Sequence, residues 1–374
     1  MIVNYYYPYI SGVSEVVRLL AEQMATMGHD VTVICANHAG CAAEENLNGV
    51  RVIRTPVWFR ISKGTISPSF ITKSIRLARD ADIVNMHTPM LESAVIGAFV
   101  DKKKFFVTYH CDIDLVKGFL NNIIKSVMLF MNRQALKQAN RILVTSIDYA
   151  AHSVLAKDFQ DKLVEVHTPI KEYSRVSVEK PAGIYTIGFC GRIVMEKGID
   201  VLLHAYQILR RHRQDIRLVI GGDYKNVAGG SIYPQLQAYI DQNSLPDITF
   251  AGKIPEEKMA EFYSSLDVFV LPSINPLEAF GMVQVEAMYC GVPVVSSDLY
   301  GVRTIVQNTG MGLVSRKGDA QNLADCIEKI LNDREAYIKP KADIKALYGS
   351  EQCIQSCLNC YESAFTRSTA DNKG

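Results

Sequence analysis

Short apolar runs alternate with amphipathic segments along almost the whole chain. In the first half, runs rich in β-branched residues predict the strands DVTVIC, VRVIR, ADIVNM, KFFVTY and RILVTS. The second half repeats the pattern with IYTIGFCG, IRLVIGG, DITFAG, DVFVLP, GVPVVSS and GMGLVS. Strands that are apolar throughout are buried on both faces, and helices between them indicate right-handed β-α-β crossovers. The pattern therefore predicts an α/β fold with a doubly wound parallel sheet in each half.

The length of the chain and one polar segment predict where the two halves divide. A chain of 374 residues exceeds the size at which one hydrophobic core stops growing, so two domains are expected. The segment KEYSRVSVEKPAG, residues 171–183, is polar and contains proline. We place one domain at residues 1–175 and a second at 176–350, followed by a C-terminal helix, 351–374, that can cross back to the first domain. A ligand is expected in a cleft between the domains, at the carboxyl ends of the strands.

Composition and charge argue against several classes of protein. The formal charge is +1, so the chain as a whole has no electrostatic attraction for nucleic acid. No run of about 18 apolar residues is present to span a membrane, and no signal sequence is recognisable at the start. The nine cysteines are scattered through apolar runs, which is typical of buried, reduced thiols in a cytoplasmic protein.

The stretch CIQSCLNC admits two interpretations. The spacing of Cys353, Cys357 and Cys360 can hold an iron–sulfur cluster. The same spacing also places the three thiols on one face of a helix. We favour the packing role.

The segment GFCGRIVMEKGID places two cations just after a predicted strand. No P-loop and no G-x-G-x-x-G is present, which disfavours P-loop phosphoryl transfer and a standard dinucleotide site. Instead, Arg192 and Lys197 follow the end of the strand at Gly191 and precede a helix. Such a pair suits a diphosphate whose charge grows as it leaves. The alternative is an ordinary solvated loop.

The stretch EAFGMVQVE surrounds a Phe-Gly step with two carboxylates. Because Gly281 is unfavourable inside a helix, we expect a helix to begin near Met282, and a start at Asn275-Pro276 is the competing possibility. In the first geometry the backbone N–H groups of Gly281, Met282 and Val283 are unpaired and form an anion site for a diphosphate.

The two carboxylates of this stretch have different predicted partners. Glu286, in the first turn or so of the helix, can accept hydrogen bonds from ribose hydroxyls. Glu278, on the preceding loop, can face a sugar on the other side of the phosphates. Two acids beside an anion site are costly unless hydroxyls or cations bind them. The alternative is a pair of solvent-facing glutamates.

These segments together resemble a known family. GRIVMEKG followed by EAFGMVQVEAMYCGVPVVSS is similar to the E-x7-E region of retaining nucleotide-sugar glycosyltransferases of the GT-B type, above all those of glycosyltransferase family 4. YPYISGVSEVVRLLAEQMATMGHDVTVI is similar to the family's first strand, glycine loop and first helix, and VTYHCDID and VTSIDYA resemble its later first-domain strands. The resemblance implies two Rossmann-like domains facing a cleft, and it extends over nearly the whole chain.

The resemblance assigns roles to residues of the second half. Arg192 and Lys197 would bind the donor diphosphate, and Glu286 would bind the ribose. Glu278 would hold the transferred sugar and the β-phosphate together with the backbone of Phe280, Gly281, Met282 and Val283.

The resemblance also assigns roles in the first half. Gly12 would let the backbone approach the donor or acceptor, although the family usually has two glycines where this chain has Ser11-Gly12. His110, at the end of KFFVTYH, matches the family's histidine beside the anomeric carbon, whereas a histidine taken alone is more often structural. Asp112 either orients His110 or contacts an acceptor hydroxyl.

The activity that the resemblance implies is retaining glycosyl transfer by front-face displacement, in which the leaving diphosphate helps to deprotonate the attacking hydroxyl. We expect a hexose, mannose or glucose, to pass from a nucleoside diphosphate sugar to a saccharide or lipid-linked acceptor as an α-glycoside. No cofactor or metal is expected, because the D-x-D of Asp112 and Asp114 lies away from the predicted diphosphate. A nucleotide-sugar 2-epimerase and a non-catalytic sugar-nucleotide-binding protein are the alternatives.

One further segment concerns the acceptor. DLVKGFLNNIIKSVMLFMNRQALKQANR mixes large apolar residues with Lys117, Lys125, Arg133 and Lys137. It can lie on an anionic membrane that carries a lipid-linked acceptor, which would make the protein peripheral at the inner face. Packing of a long helix against the first sheet explains the same residues.

Overall fold

The computed structural model describes residues 1–9, 11–38, 40–61, 64–115, 118–225, 227 and 230–370. The chain divides into two units. One comprises Met1–Pro169 with Ser350–Gly374, and the other comprises Ile170–Gly349. Each unit has its own parallel sheet and its own buried core.

The first unit alternates strands and helices. In chain order these are α1 Gly12–Thr26, β1 Thr32–Ala36, β2 Glu44–Leu47, β3 Val50–Thr55, β4 Phe59–Ile61, β5 Gly64–Ile66, α2 Pro68–Asp80, β6 Val84–Thr88, α3 Ser93–Gly97, β7 Phe105–Tyr109, α4 Phe119–Gln138, β8 Arg141–Val144, α5 Ile147–His152 and β9 Leu163–Glu165. Short 3-10 helices span Lys102–Lys104 and Ala156–Lys162.

The main sheet of this unit is held together across its middle by the start of the chain. Strands β2, β3 and β1 lie on one side and β6, β7, β8 and β9 follow in that order on the other. Ile2 forms parallel bridges with Ile34 of β1 and Met86 of β6, which joins the two halves. Strand β2 pairs antiparallel with β3, and β4 and β5 form a separate small hairpin.

Helix α1 illustrates why these elements form where they do. Ser11 is extended, and its hydroxyl accepts a hydrogen bond from the Ser14 N–H, which caps the first turn. Val17, Leu20 and Met24 then recur on one face and are buried in the core of this unit. The first turn of the helix, which begins at Gly12, is thereby held on the core of this unit.

The second unit has the same architecture. Its elements are β10 Tyr185–Cys190, α6 Ile199–Arg210, β11 Ile216–Gly221, α7 Tyr233–Gln242, β12 Ile248–Gly252, α8 Met259–Ser264, β13 Val268–Leu271, α9 Val283–Tyr289, β14 Val294–Ser297, α10 Val302–Thr309, β15 Gly312–Ser315, α11 Ala320–Asn332 and α12 Lys341–Tyr348. Short 3-10 helices span Met195–Lys197, Glu256–Lys258 and Arg334–Tyr337. The sheet runs β12-β11-β10-β13-β14-β15 with parallel pairing throughout these strands.

The last helix, α13, Ser350–Ala370, packs on the first unit. Cys353, Cys357 and Cys360 are buried side by side in the core of that unit, together with the strand residue Phe106. Burial raises the pKa of the Cys357 thiol to about 12 and that of Cys360 to about 11, so both stay protonated at neutral pH. These contacts support the packing role of CIQSCLNC.

The predicted parallel strands of both halves are confirmed, but the boundary between the units lies at Pro169–Ile170 and not at residue 175. The polar segment 171–183, which was predicted to separate the two domains, packs on the second unit. The Val176 N–H donates to Ser264 Oγ at 3.0 Å, and the Lys180 ammonium bonds the Asp267 carboxylate at 2.9 Å. The polarity of the segment therefore reflects hydrogen bonds to distant residues of that unit.

Candidate active site

The second sheet reverses its strand order at β10. Strands β11 and β12 extend to one side of β10, and β13, β14 and β15 extend to the other. The loops that leave β10 and β13 therefore diverge and open a crevice at the carboxyl edge, which is where α/β sheets bind ligands. Arg192 and Lys197 lie on the first of these loops, and Glu278 lies on the second.

Backbone hydrogen bonds join the two loops. The N–H groups of Ile274 and Asn275 both donate to the Glu196 carbonyl, at 3.0 and 3.3 Å. Gly198 has a φ of +65°, and a Cβ there would lie 2.1 Å from the Pro272 carbonyl oxygen. Only glycine permits this approach, so the backbone at Lys197 is fixed against the second loop.

An ion pair joins the two loops inside the crevice. The Lys197 ammonium contacts Glu278 Oε2, and both side chains are largely buried, at 16% and 18% exposure. Ser273 Oγ donates to the same oxygen at 3.2 Å. Burial raises the pKa of Glu278, but Lys197, Ser273 and Arg192 outweigh it and hold that pKa below its ordinary value of 4.5. Glu278 is thus an ionised carboxylate.

Arg192 lies nearer the solvent. Its guanidinium pairs with Glu196, four residues along the chain, and its side chain is 52% exposed. The positive charge of Arg192 nevertheless lowers the pKa of Glu278. The crevice thus contains two cations, each already beside a carboxylate.

Helix α9 begins where the sequence predicts. It starts at Val283 with Met282 as its cap, whereas the competing start at Asn275-Pro276 is wrong because the Asn275 side chain closes a turn with the Leu277 N–H at 2.8 Å. Gly281 has a φ of +82°, and a Cβ there would lie 2.6 Å from the Leu271 side chain.

The N-terminus of this helix presents hydrogen-bond donors. Within the described residues, no acceptor takes the backbone N–H groups of Gly281, Met282 and Val283. Unpaired N–H groups in the first turn carry a partial positive charge, which favours an anion. Phe280, the residue before them, is buried in the core of the second unit.

Glu286 is held by a residue that the sequence did not single out. The hydroxyl of Tyr263, on α8, donates to Glu286 Oε2 at 2.6 Å. Tyr263 is completely buried, and burial together with the Glu286 charge raises its pKa well above its ordinary value. Since α8 precedes β13 and α9 follows it, only the folded sheet brings the pair together. The sequence carries no signal for it.

In the first unit, His110 contacts a second histidine. His110 directly follows β7, and its Nε2 lies 3.0 Å from Nδ1 of His87 on the neighbouring strand β6. The rings are stacked, with centroids 5.3 Å apart. Burial lowers the pKa of His110 to about 4, and burial together with the His110 ring lowers the pKa of His87 well below its ordinary value of 6.5, so both rings are neutral at pH 7. His87 was not among the predicted site residues. Its position near the end of β6, the strand beside β7, could have indicated that it lies close to His110.

Asp112 is bound by donors of its own unit. Its carboxylate accepts from the Tyr109 hydroxyl at 2.5 Å, from Ser153 Oγ at 2.8 Å and from the Val154 N–H at 3.0 Å. These contacts anchor the loop after β7, and within the described residues none of them involves His110. The acceptor contact of Asp112 stays a prediction.

The surroundings of Gly12 are open. A Cβ at Gly12 would meet no heavy atom within 4 Å among the described residues. No packing contact of its own unit therefore requires a glycine there. Its predicted approach to a ligand stays a prediction.

Neither half of the D-x-D pattern is part of a larger ligand cluster. Asp114 pairs with Lys125 at 3.0 Å, separately from the contacts of Asp112. In the described part of the chain, no group of three or more His, Cys, Asp or Glu is arranged to hold a metal ion. Over the same residues, no helix has the length and apolar character needed to cross a membrane.

Two family models match the chain. The model described as Glycosyltransferase Family 4 matches residues 10–172, and the model described as Glycosyl transferases group 1 matches residues 171–346. Together they extend over both parallel sheets. The chain belongs to the GT-B glycosyltransferases of the family 4 group, which act on sugar-nucleotide donors.

Similar proteins match nearly the full length. The phosphatidyl-myo-inositol mannosyltransferase of Mycobacterium leprae is 27% identical and covers 98% of this chain and 96% of its own. The O-antigen chain mannosyltransferase C of Escherichia coli is 24% identical and covers 96% of both chains.

Solved structures agree on the fold. A sucrose-phosphate synthase from Thermosynechococcus elongatus superposes with a TM-score of 0.74 at 22% identity, covering 96% of this chain and 94% of that one. Anabaena HepE, solved in complex with UDP-glucose, gives 0.70 at 17% identity, covering 97% and 98%. The predicted class of two Rossmann-like domains is confirmed.

The two ion pairs of the crevice should differ in their contribution to stability. Lys197→Met leaves Glu278 buried without its cation, and we expect it to lower the free energy of unfolding by about 3 kcal/mol at pH 7. Arg192→Met is the matched control and should cost less than about 1 kcal/mol, because its pair is exposed. Urea denaturation of the three proteins measures both values.

The same variants have an expected pH dependence. The low pKa of Glu278 contributes stability that is present above its ordinary value of 4.5 and is lost as the pH falls through the folded pKa. Without Lys197 the buried carboxyl accepts a proton more readily. The difference in unfolding free energy between wild type and Lys197→Met should therefore narrow as the pH falls from 7 to about 4, and a difference that stays constant over this range would contradict this account of the pair.

Proposed function

We propose that this protein is a retaining hexosyltransferase that moves mannose or glucose from a nucleoside diphosphate sugar to a saccharide or lipid-linked saccharide, forming an α-glycosidic bond. One observation carries the proposal. The strand-order reversal at β10 gathers two cations, two carboxylates and a helix N-terminus with unpaired N–H groups at one sheet edge. A sugar linked to a ribose through a diphosphate has groups that complement each of these.

The diphosphate would lie between the cations and the start of α9. Lys197 has three N–H donors, of which Glu278 occupies one, so the ammonium can bind a phosphate without leaving the carboxylate. Arg192 and the N–H groups of Gly281, Met282 and Val283 would supply further donors. Their positive charge would stabilise the leaving diphosphate without a metal ion.

The carboxylates would bind the two sugars of the donor. Glu286, oriented by Tyr263, would accept hydrogen bonds from the ribose hydroxyls. Glu278 would accept from hydroxyls of the transferred sugar, for which its ionised state is suited. In this arrangement the front face of the anomeric carbon is left to the acceptor, and the leaving diphosphate takes the acceptor's proton.

Two residues of the first unit, His110 and Gly12, would also contact a ligand. Gly12 would allow the backbone to approach a ligand closely, which is consistent with the open space around it. His110 would contact the transferred sugar as a neutral imidazole, because its low pKa keeps it uncharged.

The choice of sugars rests on the similar proteins. Two of them are named as mannosyltransferases, one acting on phosphatidyl-myo-inositol and one on the O-antigen chain, and HepE was solved with UDP-glucose. GDP-mannose and UDP-glucose are therefore the first donors to test. Saccharides and lipid-linked saccharides are the first acceptors.

The reaction is tested with a panel of UDP-, GDP- and ADP-sugars. We expect one donor to raise the midpoint of thermal unfolding, because it binds only the folded protein. Release of free nucleotide should be slow with that donor alone and faster once an acceptor is added. Conversion of the sugar without an acceptor would indicate the 2-epimerase instead, and stabilisation without turnover of any acceptor tested would favour a binding protein.

Tyr263→Phe tests the ribose site. Removing the hydroxyl leaves the Glu286 carboxylate without the donor that orients it, and we expect the affinity for UDP or GDP to fall about tenfold. Tyr206→Phe is the matched control. Tyr206 is also completely buried in this unit, but its hydroxyl bonds backbone carbonyls such as that of Pro246 at 3.0 Å. Calorimetric titration with the nucleotide should separate the two variants, and equal affinities would argue against Glu286 as the ribose ligand.

We also propose that α4 contacts an anionic membrane. Its C-terminal part packs on the unit through Ala135 and Leu136, but its N-terminal part exposes an apolar strip. The strip consists of Phe119, Leu120, Ile123, Val127 and Phe130, which are 45% to 85% exposed. Of the basic residues of this segment, Lys125 and Arg133 are already paired with Asp114 and Asp158, and Lys117 lies outside the described residues. Apolar insertion would therefore contribute more than charge.

Vesicle binding tests the strip. The variant Phe119→Ser/Leu120→Ser/Phe130→Ser should lose most of its sedimentation with phosphatidylglycerol vesicles, because three large exposed side chains no longer enter the bilayer interface. Met27→Ser/Val154→Ser removes exposed apolar side chains elsewhere on the same unit and should bind as the wild type does. Equal binding by all three proteins would exclude the strip as the contact.

A further inference from the structure

The pair formed by His87 and His110 leaves one ring nitrogen of His110 for other partners. His110 Nε2 is taken by His87 Nδ1 at 3.0 Å. Within the described residues, His110 Nδ1 has no hydrogen-bond partner, and His110 retains 8% exposure against 2% for His87. What His110 offers to a ligand therefore depends on which nitrogen carries its proton.

Two proton arrangements fit the distance. If His110 donates from Nε2, His87 accepts at Nδ1 and carries its own proton on Nε2. If His87 donates from Nδ1, its Nε2 carries only a lone pair, and the proton of His110 is on Nδ1. Both rings are neutral, so one of these two arrangements holds.

The far nitrogen of His87 distinguishes between them. His87 Nε2 is fully buried and has no hydrogen-bond partner among the described residues. In the first arrangement, the Nε2–H of His87 is a buried donor without an acceptor. In the second, Nε2 is only an acceptor without a donor. Buried N–H donors without a partner are rarer in proteins than buried acceptors without a partner, so the second arrangement is favoured.

Backbone hydrogen bonds fix the positions of the two histidines. His87 lies on β6, and its N–H donates to the Ile2 carbonyl at 2.9 Å in the middle of the sheet. The His110 N–H donates to the Thr88 carbonyl at 3.1 Å. Both residues are therefore fixed by sheet hydrogen bonds directly beside their side chains.

We propose that His87 is a positioning residue that holds His110 in the tautomer with its proton on Nδ1, so that His110 presents a hydrogen-bond donor and not a base to the transferred sugar. The effect on catalysis rests on the function proposed above, but the tautomer does not. A donor at this place suits a hydroxyl of the sugar. It also leaves the acceptor's proton to the leaving diphosphate.

The tautomer can be measured without any ligand by NMR on the full chain carrying ¹⁵N-labelled histidine. The spectra of His87→Asn and His110→Gln assign the two rings among the eight histidines. We expect a protonated Nδ1 and an unprotonated Nε2 for His110, and a protonated Nδ1 for His87. A protonated Nε2 on His110 overturns the proposal.

Turnover tests the consequence with two variants of similar size. Asn places an amide N–H near the position of the His87 Nδ1, whereas Leu has the same shape without a donor. With UDP-glucose or GDP-mannose, whichever the wild type uses, we expect His87→Leu to lower kcat about tenfold or more with less change in KM. His87→Asn should recover much of that loss.

The outcomes separate this proposal from the function on which it rests. Full kcat in His87→Leu, with an unchanged unfolding midpoint, overturns the positioning role. A wild type that turns over neither donor overturns the proposed function, and the NMR spectra still decide the tautomer.

Discussion

The pairing of Lys197 with Glu278 is the interaction on which the second unit's site depends. The two residues lie on the loops that leave the neighbouring strands β10 and β13, so their contact joins these loops at the carboxyl edge of the sheet. It is possible only because Gly198 lets one backbone lie against the Pro272 carbonyl of the other loop. A buried charge without a partner would be very unfavourable here. The ion pair and the close backbone approach at Gly198 thus hold the two loops together.

Each half of the protein uses sheet geometry to bring distant residues together. In the second unit, Tyr263 lies on α8, which precedes β13 in the chain, and Glu286 lies on α9, which follows β13. In the first, His87 and His110 come from the ends of adjacent parallel strands. Parallel strands bring all their carboxyl ends to one edge. Residues that are far apart in the chain therefore become neighbours there without any signature in the local sequence.

This explains how much could be predicted from the sequence. The strands buried on both faces are apolar throughout and were recognisable. Strand β2, with the sequence EENL, is mostly polar, and β9 is only three residues long, so both were missed. The beginning of α9 was predicted from Gly281, because a positive φ is a local property. Tyr263 and Ser273 could not be found in this way, since their roles depend on strand order and register, whereas His87 lies near the end of a predicted strand. The packing of segment 171–183 on the second unit depends in the same manner on Ser264 and Asp267.

The internal pairing of the crevice also affects which anions it accepts. Arg192 is compensated by Glu196 and Lys197 by Glu278, so the empty crevice carries almost no net charge from these four residues. A small anion such as inorganic phosphate would gain little electrostatic attraction there, because a carboxylate already balances the charge of each cation. A larger ligand can offset that competition by giving hydroxyl donors to the same carboxylates. Under the proposed function, these four side chains would therefore favour molecules that carry sugar hydroxyls and phosphates together over simple anions.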